Sequence, residues 1–229
     1  MDNMRVGFVG FGEVGRIFTA ALKAAGVPWV GTWDLKFDDP ALRDAMVAPA
    51  TANEVVVCDG LAALCAEATL VVSAVTASNT LAVAQAVSAH IQPGAFFLDL
   101  NSASPGTKQQ AAALIDAAGA RYVEAGVMTS VPPYGIKVPM LLGGAPAADL
   151  ARQLQAWGMD AKVVSDQLGV AAEYFNRELE YRIKAFTTMF EPIMIVFVGL
   201  IVVAIVLLVR SQQRATVQAP PPEEQPAEP

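Results

Sequence analysis

Val6–Gly15 reads "VGFVGFGEVG", and the fold turns on how this stretch is read. Arg5–Gly10 is a short apolar run of strand character, and Val14–Ala25 carries a helical pattern closed by Gly26. Between them Gly10-Phe11-Gly12-Glu13-Val14-Gly15 matches G-x-G-x-x-G. That pattern carries little weight alone. Here it follows a strand, opens a helix, and is answered by Asp34 at the end of a second strand, Trp29–Trp33, 19 residues after Gly15. In such a unit Gly10 permits the tight turn, Gly12 lets a pyrophosphate reach the backbone, and Gly15 lets helix and strand pack closely. Phe11, Glu13 and Val14 supply backbone at the helix N-terminus, where unpaired N–H groups and partial positive charge suit phosphates. Asp34 is placed to accept hydrogen bonds from an adenosine ribose. A carboxylate there repels a 2′-phosphate and favours NAD, while Lys36 keeps NADP open.

Outward from this turn the chain alternates strand and helix patterns. Strands are predicted at Glu54–Cys58, Leu70–Val75, Phe96–Leu100, Arg121–Val127, Met140–Leu142 and Ala161–Val164. A loop and short helix are predicted through Pro40–Val47, and helices at Gly60–Ala68, Ser78–Ile91 with Ser78 as N-cap, Pro105–Ala118 and Pro146–Trp157. The alternation predicts an α/β fold with a doubly wound, mostly parallel sheet of Rossmann type over residues 1–168, and a ligand at the carboxyl ends of the strands.

Composition limits the functions open to it. The 229 residues are 54% hydrophobic and 16% charged, with a net charge of −7. The acidic balance and the lack of a basic stripe argue against a nucleic-acid partner. Cys58 and Cys65 fit neither a metal spacing nor a disulfide framework, and no metal site is expected. His90 closes a helix without convergent polar partners and reads as a helix-end residue.

Four ordered motifs, the glycine turn, "VVSAVTAS" (71–78), "FLDLNSASPGTKQQ" (97–110) and "RYVEAGVMTSVPPYGIKVPMLLGG" (121–144), resemble the NAD(P)-binding domain of the 6-phosphogluconate / 3-hydroxyisobutyrate dehydrogenase family. The resemblance covers about residues 4–168. It implies that Val75 and Thr76 line the nicotinamide-ribose side. It also implies that Asn101 and Ser102 form the loop touching substrate and nicotinamide, with Ser102 a hydrogen-bond donor. The implied substrate is a small 3-hydroxy acid, and the implied assembly a homodimer. Met128-Thr129-Ser130 stands where many members have Ser-Gly-Gly, and Tyr134 and Lys137 follow as open candidates for an anionic substrate or for loop packing. Members of that family continue into a helical domain whose first long helix supplies a general acid/base lysine. Here the segment after Gly169, "VAAEYFNRELEYRIK", has no lysine before Lys184.

In its place come an amphipathic connector, 169–191, and "PIMIVFVGLIVVAIVLLV", Pro192–Val209, an uncharged run of 18 residues. At 1.5 Å per residue such a helix reaches about 27 Å, near the hydrocarbon thickness of a bilayer. The expectation is a single transmembrane helix at 192–209, followed by a disordered Pro- and Glu-rich tail at 210–229. The connector and span resemble the last segment of the type II secretion / type IV pilus inner-membrane platform protein family. Basic residues flank the span almost equally, so the cofactor decides the orientation: inner membrane, single pass, dinucleotide domain cytoplasmic. Three functions stay open at this point. One is a tethered NAD(P)-binding protein without its own base. Another is an oxidoreductase completed by a partner or by its dimer. The third is a scaffold component of a secretion platform.

Overall fold

The computed structural model describes residues 4–165 and, further on, the helical residues 197–202, 205–207 and 210. The connector 169–191 and the tail 211–229 lie outside the described residues, as does part of the 192–209 run. The chain divides into two compact units, Met1–Arg177 and Glu178–Pro229.

The first unit is one sheet of eight strands with helices on both faces. In chain order it runs β1 (Arg5–Val9), α1 (Glu13–Ala24), β2 (Trp29–Trp33), α2 (Arg43–Ala52), β3 (Val56–Val57), α3 (Leu61–Glu67), β4 (Leu70–Ser73), α4 (Thr80–Ser88), β5 (Phe96–Asp99), α5 (Pro105–Ala117), β6 (Arg121–Val127), β7 (Met140–Gly143), α6 (Ala147–Ala156) and β8 (Ala161–Ser165). The strand order is β3-β2-β1-β4-β5-β6-β7-β8. All pairs are parallel except β6–β7, which is antiparallel. The order reverses between β1 and β4, so a crevice opens at the carboxyl ends of those two strands.

Alternating side chains divide the core into two layers, as expected of strands covered on both faces. Phe8, Val72, Leu98, Val123 and Ala125 pack with α1, α2 and α6. Val71, Phe97 and Tyr122 pack with α3, α4 and α5. β4 and β5 are buried end to end and β1 and β6 through most of their length, which explains their nearly continuous apolar sequences.

Several boundaries differ from the sequence reading. The strand predicted at Leu70–Val75 ends at Ser73, because the Val75 N–H bonds the Asn101 side chain instead of the ladder. Ser78 does not cap α4: it lies in a 3-10 turn, its hydroxyl 3.1 Å from that of Thr76. Where a loop and short helix are predicted through Pro40–Val47, the helix runs over Arg43–Ala52 and contains Pro49. Met140–Gly143 forms its strand antiparallel to β6, an arrangement set by the long return of residues 128–139.

Of the second unit, Phe197, Val198, Leu200, Ile201, Val202, Ile205, Val206 and Leu207 are helical, and each is at least 45% exposed. Among the described residues no helix is long and apolar enough to cross a membrane.

Candidate functional site

The glycine turn is built as its chemistry requires. Gly10 has φ +99°, and a Cβ there would stand 2.4 Å from the carbonyl oxygen of Ala74. A Cβ on Gly15 would stand 2.3 Å from the Gly10 carbonyl oxygen, so α1 lies directly on the turn. Gly12 is different: it is exposed, and a Cβ there would meet nothing within 4 Å. It is the N-cap of α1, and no side chain caps the first amides of that helix. Backbone donors, positive helix end and open space therefore coincide at Gly12, Glu13 and Val14. These features fit a dinucleotide diphosphate.

Asp34 follows β2 beside this turn. Its Oδ2 accepts from the Phe11 N–H at 2.7 Å, and its Oδ1 from the Lys36 N–H at 2.9 Å. The two amides hold the carboxylate at the edge of the crevice, half-buried, with lone pairs left for a ribose diol. Phe11 is buried against Phe37, ring centroids 6.0 Å apart, and the Arg16 guanidinium stands 5.6 Å over its ring.

On the other side of the crevice lie the ends of β4 and β5. Val75 is half-buried there, and Thr76 and Ser102 are exposed. Asn101 is only 3% exposed, and both ends of its side chain are engaged by the end of β4 and the residues just after it. Its Oδ1 accepts from the Val75 N–H at 2.7 Å, and its Nδ2 donates to Ser73 Oγ at 2.9 Å. The residue staples the two strand ends together, and Ser102 is the more accessible side chain of the loop. Tyr134 and Lys137 are exposed on a turn that lies against α1: a Cβ on Gly135 would stand 3.9 Å from Ile17 Cγ2. His90 is exposed beyond the end of α4.

Sequence reasoning missed a buried polar group directly beneath these loops. Asp99, Glu124 and Lys108 are each 3% exposed or less. The Tyr122 hydroxyl donates to Asp99 Oδ2 at 2.6 Å, and Asp99 Oδ1 accepts from the Asn101 N–H at 2.9 Å. Lys108 Nζ donates to the carbonyls of Asp99 at 3.3 Å and Ala125 at 3.1 Å. Burial pushes the Lys108 ammonium below its ordinary range, and Asp99 and Glu124 pull the other way. Burial, then the Asp99 charge, raises the Tyr122 phenol far above its ordinary value, so it stays a donor. The signal was visible as charged residues inside otherwise apolar strands, "FLDL" and "YVEAGV".

The two thiols are buried as well. Burial lifts Cys65 from 9.0 to about 12 and raises Cys58, which makes both poor nucleophiles. Among the described residues no group of His, Cys, Asp and Glu is arranged to hold a metal ion.

Comparison with known proteins follows this geometry. The NAD-binding domain of 6-phosphogluconate dehydrogenase matches residues 5–148, more than half of the chain. Type II secretion system protein F matches residues 142–210, under a third of it, and that match begins inside β7 of the sheet. No curated protein matches the chain. Among solved structures, a conserved hypothetical protein from Sinorhizobium meliloti 1021 is 35% identical over 76% of this chain and 57% of its own, with a TM-score of 0.73. A conserved protein of unknown function, described as structurally similar to 3-hydroxyacid dehydrogenases, is 27% identical over 78% and 64%, with a TM-score of 0.67. Mycobacterium tuberculosis 3-hydroxyisobutyrate dehydrogenase, solved with L-serine, shares the fold at 22% identity over 75% and 57%, with a TM-score of 0.63. The chain spans less than two thirds of each of these structures.

Proposed function

Because the chain belongs to the family of the 6-phosphogluconate dehydrogenase NAD-binding domain, we propose that it binds NAD in the β1–β4 crevice and holds it at a membrane. The observation that carries this is Gly12: a bare helix N-cap with open space above it, flanked by Asp34 on one side and the β4–β5 ends on the other. Gly12, Glu13 and Val14 bind the diphosphate through backbone amides, and Asp34 binds the adenosine ribose. Val75, Thr76, Asn101 and Ser102 form the floor and rim of the nicotinamide side. NADP is the weaker ligand, because the Asp34 carboxylate repels a 2′-phosphate.

The cofactor supplies hydride chemistry when bound. For a 3-hydroxy acid, Ser102 orients the hydroxyl or the carboxylate by donating a hydrogen bond. A base must also take the hydroxyl proton. Lys108 is buried on two carbonyls, so it does not meet a ligand from the crevice. No lysine lies between Gly169 and Lys184. The reading is therefore a cofactor-binding protein without the general-base lysine at the place where the family resemblance puts it. Turnover, if it occurs, takes the base from a partner or from a second copy.

The membrane part of the proposal rests on the 192–209 run. The described side chains of this run point in every direction around the helix, are apolar and are exposed, with no polar face to turn to water. We place the dinucleotide domain on the cytoplasmic side, where its cofactor is found, in the inner membrane. Calorimetric titration of the full chain in detergent with NAD and NADP, together with carbonate extraction of membranes, tests both parts. One-to-one NAD binding and retention in the pellet are expected. Absence of binding removes the functional reading, and release by carbonate removes the anchor.

A further inference from the structure

β5 ends at Asp99, while β6 continues to Val127 and pairs onward with β7. At this divergence the parallel ladder between β5 and β6 stops after Asp99 and Glu124. The Lys108 ammonium fills the gap, bridging the carbonyl of Asp99 on one strand and of Ala125 on the other. From Asp99 a chain of bonds continues across the sheet. Its carboxylate takes the Tyr122 hydroxyl and the Asn101 N–H, and Asn101 in turn takes the Val75 N–H and donates to Ser73. Tyr122 is itself held by stacking on Phe97, centroids 5.8 Å apart at 17°. Three strand ends are thus joined by one buried polar girdle.

The placement relative to the cofactor gives the girdle its meaning. With the diphosphate on α1 and the adenosine ribose at Asp34, beside β2, the other half of the dinucleotide must extend over β4 and β5. The girdle lies under that half alone. We propose that Lys108 is a positioning residue for the nicotinamide half of the cofactor: by clamping the ends of β5 and β6 it fixes the Asn101 amide, and through it the backbone at Val75 and the Ser102 loop. A buried ammonium suits this role because two carbonyls need donors where two strands part, and an aliphatic side chain supplies none. Asp99 from β5 and Glu124 from β6 are the charged groups that act on it, and both favour its charged form.

This inference rests on the cofactor reading above, and the test separates the two. The full chain in detergent is titrated with NADH and with ADP, which carries the adenosine and the diphosphate but no nicotinamide ribose. Wild type, Lys108→Met and Tyr122→Phe are compared, each with its melting temperature. Lys108→Met is expected to raise the Kd for NADH at least tenfold while the Kd for ADP stays within twofold. Tyr122→Phe, which removes one bond of the girdle and keeps the ring, is expected to move the NADH Kd about threefold in the same direction, and it stands as the test should Lys108→Met not fold. A residue that merely stabilises the sheet lowers the melting temperature and leaves the ratio of the two Kd values unchanged, and an unchanged ratio overturns the proposal. Wild-type protein that binds neither ligand overturns the cofactor reading itself, and the proposal with it.

Discussion

Gly12→Ala separates the ligand from the fold more sharply than any other change in the turn. The backbone there has φ −74° and ψ −160°, within reach of an L-residue, and the new methyl meets no protein atom within 4 Å. Exchanging an N-cap glycine for alanine costs the helix roughly 0.5–1 kcal/mol. Lower entropy of the unfolded chain returns about 0.4–1 kcal/mol. The net change lies within about 1 kcal/mol, or about 3 °C in melting temperature for a domain of this size. The same methyl occupies the space over the first amides of α1, where a diphosphate oxygen must approach to hydrogen-bond distance. Losing one such hydrogen bond to a charged group costs roughly 1.5–3 kcal/mol, about 10- to 100-fold in affinity. The assay is a fluorescence titration with NADH beside a thermal melt. Gly10→Ala is the contrast, since φ +99° and a 2.4 Å approach to the Ala74 carbonyl penalise the fold itself. A folded Gly12→Ala protein with NADH affinity within threefold of wild type would show that the amides do not cradle phosphate.

The other predictions address the sugar, the core and the anchor. Asp34→Asn keeps one acceptor and loses the charge. It is expected to shift the NADPH-to-NADH affinity ratio about tenfold toward NADPH, and to cost about 1–2 kcal/mol from the amide left without an acceptor, Phe11 or Lys36. An unmoved ratio contradicts the role given to Asp34. The Cys65 thiol is neutral in the fold until about pH 12 but ionises near 9.0 when unfolded. Stability from this group is complete below pH 9 and is lost as pH rises toward 12, because the unfolded chain releases the proton first. Melting curves between pH 8 and pH 11 should fall more steeply for wild type than for Cys65→Ala, and parallel curves would refute the assignment. Arginine at both Ile201 and Ile205 puts charges into the middle of the apolar run at roughly 2.5–3.5 kcal/mol each. The double variant should move from the carbonate-resistant pellet to the supernatant, and an unchanged distribution would argue against a span.

How much of this was legible in the sequence depends on how local each determinant is. The β1–α1–β2 unit was read correctly, and Asp34 lies beside the turn as its spacing implied, because spacing along one stretch of chain sets turn, helix entry and the place of the acid. Pairing direction is not local. Met140–Leu142 reads as another apolar strand, and its antiparallel pairing with β6 follows from the path of residues 128–139, in which Val131 and Val138 are buried. The early end of β4 was hidden for a related reason: an Asn101 side chain 26 positions away takes the amide that would extend the ladder. Asn101 was expected in the loop facing the crevice, but its commitment to Val75 and Ser73 was not read. Asp99 and Glu124 stood out as acids inside apolar strands, but Lys108 in a first helical turn and Tyr122 in a strand look ordinary alone. Only packing of α5 against β5 and β6 brings them together.

The most direct test of the central claim is a crystal structure of the protein with NAD bound. The account predicts diphosphate oxygens within hydrogen-bond distance of the amides at Gly12, Glu13 and Val14, and adenosine ribose hydroxyls on Asp34. It also predicts the nicotinamide over the ends of β4 and β5. A dinucleotide seated elsewhere, or one that leaves Asp34 bonded to Phe11 and Lys36 alone, would contradict it.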